Sequence, residues 1–232
     1  EKKKMSVLSH FKTVINYIFS LFLLLFAVQP VKMLSVNVGE IQLRNSPPDN
    51  TDAEDTRPKV PARELWKDSP AVVFVVRRPG CPLCREQAAG LMEQKQDFDR
   101  LGVKLTAVVH EEGPNDAAKQ FKDGFWQNGE LYFDEEKGFW QSLGKRRLGL
   151  QGLIYPSVIR NMRRMKKKDS ESFNGNMEGE GRLLGGLYVM GQGEEGIAYT
   201  HRERVFGDHA PIEEVLAACE KVSKKGETAS AK

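Results

Sequence analysis

A Cys-x-x-Cys pair set between an apolar β-type run and an amphipathic helical stretch constrains this chain more than any other feature. The run Ala71-Val-Val-Phe-Val-Val76 is short, rich in β-branched residues and apolar at every position. That is the pattern of a central parallel strand buried on both faces. Arg77-Arg-Pro-Gly-Cys81-Pro-Leu-Cys84-Arg85 follows directly. Pro82 suits the first turn of a helix, where its missing N–H has no intrahelical partner to lose. The helix is expected from Pro82 to about Arg100, closed by Gly102, with Cys84, Ala88 and Leu91 on one apolar face. Leu105-Thr-Ala-Val-Val109 reads as a second strand. Strand, helix and strand then make a right-handed βαβ unit with parallel neighbours.

Further along, Glu130-Leu-Tyr-Phe-Asp134 predicts a short strand and Glu135 to Leu143 a helix. Leu183 to Met190 and Ile197 to His201 predict two strands joined by a glycine-rich turn, an antiparallel hairpin. Pro211 to Val222 reads as a closing helix, with Ile212, Val215, Leu216 and Cys219 on one face. A βαβ unit followed by a hairpin and a final helix is the element order of an α/β, thioredoxin-like fold, a central mixed sheet flanked by helices. The domain is expected over 62–222, with a helical basic insertion at about 144–182 and a disordered tail over 223–232.

Ahead of the domain, Thr13 to Val31 carries no charge, Leu21 to Val28 is wholly apolar, and Lys2, Lys3, Lys4 and Lys12 come first. A basic start followed by an apolar stretch marks 1–36 as a signal peptide or a membrane anchor, with an amphipathic helix packed on the domain as the other reading. Asn45-Ser-Pro-Pro-Asp-Asn-Thr-Asp52 is turn chemistry, so 37–61 is expected to be a flexible linker.

The chemistry sits on the cysteine pair. At a helix tip Cys81 meets unpaired N–H groups and about half a positive charge, both of which stabilise a thiolate. Arg77, Arg78 and Arg85 add cations. A free thiol with pKa ~8.5 is barely ionised at neutral pH, whereas thiols at such sites, at roughly 3.5–7.5, are half ionised or more. Cys81 is therefore the expected nucleophile, acidified and open to solvent, attacking a peroxide or a protein or small-molecule disulfide. Cys84, on the buried face, then displaces the product and closes Cys81–Cys84. A cellular thiol reductant such as thioredoxin would reopen it, and no cofactor is called for. Inert packing and a structural zinc half-site are the other readings of the pair. Zinc needs two more ligands, and neither Cys219 nor the four histidines form a second paired motif. Cys219 reads as core.

Composition narrows the partners. With 35 Lys+Arg against 32 Asp+Glu the formal charge is +3, without the basic excess of a nucleic-acid binder. Three cysteines are too few for a disulfide scaffold. Gly191-Gln-Gly-Glu-Glu-Gly196 matches a nucleotide-loop pattern but precedes a strand, and Glu194 and Glu195 would repel a phosphate, so it reads as a hairpin turn. Arg160 to Lys168 is densely basic, with Lys145, Arg146 and Arg147 upstream. It reads as a solvated insertion or as a patch for an anionic membrane surface. His110, Glu111 and Glu112 follow the second strand as a surface loop or as candidate proton shuttles for Cys81.

Several local stretches resemble the peroxiredoxin-like 2 family, nearest to its 2A branch of redox-regulatory, AhpC/TSA-like proteins. They are Glu64-Leu-Trp66, Arg77 to Cys81 with Cys84-Arg-Glu86, Leu131-Tyr-Phe-Asp134, Gly175-Asn-Met-Glu-Gly-Glu-Gly181 with Leu184-Gly-Gly186, His201-Arg-Glu203 and Phe206-Gly-Asp208. The resemblance spans about Ala62 to Val222. It implies a thioredoxin fold, antioxidant or redox-regulating activity, Cys81 and Cys84 as the redox-active pair, cytoplasmic or secreted residence, and roles in restraining inflammatory and osteoclast signalling. A sister branch regarded as a prostamide and prostaglandin F synthase makes reductive lipid chemistry one alternative. A regulatory binding protein whose cysteine pair is a switch or a remnant is the other. Two departures stand out: Arg78 occupies the place where peroxiredoxins carry a Thr, and Gly185-Gly186 precedes the strand where thioredoxins carry a cis-Pro.

Overall fold

A computed structural model of the chain describes residues 37–46, 57–113, 115–169, 173, 175, 176 and 178–230. The signal or anchor segment expected over 1–36 lies outside the described residues, as does 47–56 of the expected linker.

The strands are β1 (Gln42–Asn45), β2 (Val60–Pro61), β3 (Ala71–Val76), β4 (Lys104–Val109), β5 (Glu130–Phe133), β6 (Gly186–Met190) and β7 (Ile197–Arg202). The helices are α1 (Pro82–Glu93), α2 (Lys95–Arg100), α3 (Ala117–Phe125), α4 (Gly138–Ser142), α5 (Pro156–Asp169) and α6 (Ile212–Ser230). The strands make one seven-stranded sheet in the order β2-β1-β5-β4-β3-β6-β7. β4 runs parallel to both β3 and β5, while β6 is antiparallel to β3 and to β7. This is the thioredoxin-like arrangement, extended by β1 and β2 at one edge.

β3 is central because every one of its side chains finds an apolar layer. Its two-residue period sends Val72, Phe74 and Val76 into a core with Cys84, Ala88 and Leu91 of α1, Phe121 of α3 and Cys219 of α6. Ala71, Val73 and Val75 point the other way, into a second core with Leu43, Trp66, Phe139 and Tyr188. The strand is thereby pinned from both sides, and the turn that leaves it at Arg77 starts from a fixed position.

Several elements differ from expectation. The helix expected from Pro82 to Arg100 breaks at Gln94 (φ −99°, ψ 13°), whose N–H bonds Leu91 O at 3.1 Å. The break re-aims α2 so that Phe98 is fully buried. The helix expected over 135–143 shortens to α4, because the Asp134 carboxylate accepts from Gly138 N at 2.9 Å and Phe139 N at 2.8 Å after a left-handed Lys137. Most of the described part of the expected linker belongs to the fold. Val38–Glu40 forms a 3-10 turn and β1 pairs with β5, since Val38, Ile41 and Leu43 are apolar and bury. The strand expected from Leu183 begins at Gly186, and Leu183 makes only an isolated bridge to Arg147. Helix α6 continues through the expected tail to Ser230, with Ser223 Oγ donating to Leu101 O at 2.8 Å. No proline interrupts that stretch. The basic insertion contains a 3-10 turn over Leu150–Ile154 and then α5. Among the described residues no helix is long and apolar enough to cross a membrane.

Candidate active site

Cys81 is the N-cap residue of α1, in extended conformation (φ −80°, ψ 123°), and Pro82 begins the helix. Its carbonyl accepts the first helical bond, from Arg85 N at 3.0 Å, and its N–H closes a turn on Arg78 O at 3.1 Å. The turn is held from outside: Arg85 Nε donates to Pro79 O at 3.1 Å, and Asn176 N donates to Gly80 O at 2.9 Å. That last approach requires glycine at 175, where a Cβ would stand 2.3 Å from Gly80 O.

The sulfurs are free thiols, one helical turn apart, and they are unlike each other. The Cys84 thiol donates to Cys81, and this is the largest influence on the pair. Together with the charges of Arg77 and Arg78 and the Cys84 backbone N–H, it holds Cys81 well below the usual thiol range despite burial. The same bond, reinforced by burial, pushes Cys84 well above that range.

Arg77 is the cation that matters most. Its Nη2 donates to Cys81 Sγ, its Nη1 donates to Gly181 O at 3.0 Å, and its guanidinium lies against the ring of Phe206. Arg78 Nη1 donates to Glu178 O at 2.6 Å, so both arginines also tie down the 178–181 loop. Behind them sits Glu203, buried at the end of β7. Burial pushes its carboxyl up to about 7, opposed by Arg77 and by the Gly185 N–H, which donates to Oε2 at 2.8 Å. Glu203 lies within electrostatic reach of both sulfurs, and its charge opposes ionisation of Cys84.

Cys81 is not open to bulk solvent as the sequence suggests: the residue is only 3% exposed. The physical reason is the insertion. Residues 148–165 fold over the helix tip, and Cys81 ends up lining a cavity of about 310 Å³ walled by Leu148, Leu153, Val158, Met162, Met165 and Phe206, with Arg77, Arg78 and Arg182 also lining it. Helix α5 is fastened there by polar contacts. Arg164 forks onto the Glu86 carboxylate (Nε 3.1 Å, Nη2 2.9 Å) and donates to Gly207 O, while Asn161 Nδ2 donates to Phe206 O at 2.9 Å. Burial pushes His209 down to about 4, so it is neutral. Its Nε2–H donates to Leu83 O at 2.8 Å and its Nδ1 accepts from Arg164 at 3.1 Å.

The remaining sequence candidates fall elsewhere. His110 is buried at the end of β4 and pushed down to about 4 by burial and by the nearby Lys137 charge, with no hydrogen bond to either sulfur. Glu111 accepts from Glu180 N with both oxygens, and Glu112 binds Ser46 and Arg57, so both anchor chain segments. Cys219 is fully buried in the core. The Gly191–Gly196 stretch is the β6–β7 turn, closed by Gly191 N donating to Gly196 O. Among the described residues no group of three or more His, Cys, Asp or Glu could hold a metal ion. Sequence reasoning missed the roles of Glu203, Phe206 and Arg164. The only signal was that Glu203 and Phe206 fall in stretches of family resemblance, which carries no chemistry by itself.

A family profile described as "AhpC/TSA antioxidant enzyme" matches residues 90–205, starting just beyond the cysteine pair. Peroxiredoxin-like 2A of Xenopus tropicalis is 45% identical over 164 residues, which is 71% of this chain and 69% of that protein. The Homo sapiens protein of the same name is 43% identical over 161 residues, 69% of this chain and 67% of that one. Among solved structures, Xanthomonas campestris Peroxiredoxin Q superposes with a TM-score of 0.51 at 12% identity, covering 80% of this chain and 93% of that one. At that identity the likeness speaks to fold alone.

Proposed function

Because the chain belongs to the peroxiredoxin-like 2A family of AhpC/TSA antioxidant proteins, we propose that it reduces peroxides or disulfides through Cys81, with Cys84 as the resolving thiol. The observation that carries this reading is the asymmetry of the pair. One sulfur is acidified by three neighbours, and the other keeps its proton and donates it in a hydrogen bond to the first.

The Cys81 thiolate attacks a peroxide oxygen, the S–O bond forms as the O–O bond breaks, and the alcohol or water leaves with a proton. Cys84 then attacks the sulfenic sulfur. An S–S bond forms, and the hydroxide leaves as water, taking up the proton that Cys84 gives up. A cellular dithiol such as thioredoxin returns two electrons by exchange at the disulfide. With a disulfide substrate the first step is a mixed disulfide and the leaving group a thiolate. Cytoplasmic or secreted action, and restraint of inflammatory or osteoclast signalling, belong to this proposal on the strength of the family resemblance alone.

A second reading has one observation in its favour. The cavity at Cys81 is walled mostly by aliphatic side chains and Phe206, which suits a lipid endoperoxide of the kind a prostamide or prostaglandin F synthase opens. The test is a thioredoxin-coupled turnover assay with hydrogen peroxide, cumene hydroperoxide and a prostaglandin endoperoxide. Cys81→Ser should abolish turnover, and Cys84→Ser should leave a single turnover with the sulfenic acid trapped by dimedone. Unchanged turnover in Cys81→Ser refutes the thiol mechanism. An unchanged cellular effect in both variants assigns the protein to regulatory binding instead.

A further inference from the structure

Among the described residues, exposed apolar surface gathers in one place. Leu153, Ile154, Tyr155, Ile159 and Met162 are five of the six large hydrophobic side chains left exposed among the described residues, Ile154 the most at 74%. All precede or lie on the first half of α5. The buried Val158, Asn161 and Met165 mark the inward face of that helix. At about 100° per residue, Met162 and Ile159 fall on the adjoining flank, next to Lys166 and Arg163. Arg160, Arg163, Lys166 and Lys167 are exposed and form no ion pair among the described residues. By contrast Arg164 and Lys168 are neutralised by Glu86 and Glu93. No acidic residue occurs from Gly149 to Lys168.

An apolar strip bordered by cations of one sign is the pattern of a helix that lies in a membrane interface, apolar side chains among the acyl chains and cations at the headgroups. The four exposed cations are of one sign and no acidic residue interrupts them, so the face complements an extended anionic surface. We propose that the 153–167 surface docks this protein onto an anionic lipid bilayer. The docking is independent of the thiol chemistry. The two meet in space, however, since Leu153 and Met162 also line the cavity that contains Cys81. A docked molecule therefore turns the mouth of that cavity toward the lipid.

The experiment uses the full chain. Tyr155→Trp places an indole at the apolar strip, and its quenching by doxyl-labelled lipid is read against wild type, with vesicles of phosphatidylcholine alone or mixed with phosphatidylserine. The expected result is quenching on phosphatidylserine vesicles only, lost in high salt. Arg163→Glu or Lys167→Glu should each weaken partitioning at least fivefold, since one cation near an anionic surface is worth about that factor. In flotation, Ile154→Glu with Ile159→Glu should weaken binding while Ile197→Glu, on β7, leaves it unchanged. The proposal is overturned if the indole is not quenched, or is quenched equally on neutral vesicles. It is also overturned if the wild type self-associates at micromolar concentration and Ile154→Glu abolishes that association, which would give the face to a second copy of the chain.

Discussion

The guanidinium carbon of Arg77 stands 4.5 Å from the centroid of the Phe206 ring. In a desolvated pocket such a contact is worth about 2 kcal/mol. Here it fixes a cation that donates directly to Cys81 Sγ. Phe206→Leu keeps the apolar wall but removes the ring face, and it is expected to raise the ionisation midpoint of Cys81. Arg77→Met should raise it further, and Cys84→Ala furthest, because the Cys84 donor is the largest influence on that sulfur. The pH dependence of iodoacetamide alkylation reads all three. A midpoint that stays put in Cys84→Ala would refute the hydrogen-bonded pair.

Glu203 gives stability a distinct slope. Between the unfolded value of about 4.3 and the folded value of about 7, the native carboxyl holds a proton that the unfolded chain has released. Stability therefore falls as pH rises through that window. Glu203→Gln keeps the acceptor for Gly185 N–H and removes the titration. Relative to wild type it should gain about 3 kcal/mol between pH 4 and pH 8, measured by urea unfolding. Parallel curves for the two proteins would show that the carboxyl does not titrate in the fold.

His209 acts in the opposite sense. The folded state, at about 4, refuses a proton that the unfolded chain accepts near 6.5, so stability is lost as pH drops between those values. His209→Asn should cost about 1 kcal/mol at neutral pH through the bond to Leu83 O and should flatten the acid limb. Thermal melts at pH 4, 5.5 and 7 separate the two effects.

Removing Arg164 leaves the Glu86 carboxylate buried, with His209 Nε2 at 3.8 Å. Arg164→Met is expected to destabilise by about 2 kcal/mol and to loosen α5 over the cavity. Alkylation of Cys81 should then accelerate at unchanged pH midpoint. A slower reaction would mean that α5 does not limit access.

Cys219 should be silent. Burial pushes its thiol up to about 12, and no part of it is exposed. Thiol counting should leave it unreacted in the native protein and detect it in denaturant, and Cys219→Ala should leave turnover unchanged.

What could be read from the sequence follows from physical scale. β3 and the start of α1 are set by local rules, an apolar β-branched run and a proline at the first helical turn, so they stand out in the linear chain. β1 does not, because Gln42-Leu-Arg-Asn45 has a single buried apolar side chain and gains its order from pairing Arg44 with Phe133 and Asn45 with Tyr132. α3 escapes for a similar reason, its core face being only Ala117, Ala118 and Phe121. Arg77 was legible as a cation near Cys81, but its partners Gly181 and Phe206 lie more than a hundred residues away in the chain. The burial of Cys81 was misjudged on the same ground. Local pattern shows a sulfur at a helix tip and says nothing of a later segment folding back across it.

Helix α5 is fastened by the polar bonds of Arg164 and Asn161 and gives the core only Val158 and Met165 among its described residues, whereas β3 is wedged between two apolar layers. Elements so differently secured open at different free energies. Gentle warming or dilute urea would therefore uncover the thiolate well before the sheet gives way. A chemist timing sulfur and a spectroscopist timing β-structure would record two separate events in one molecule.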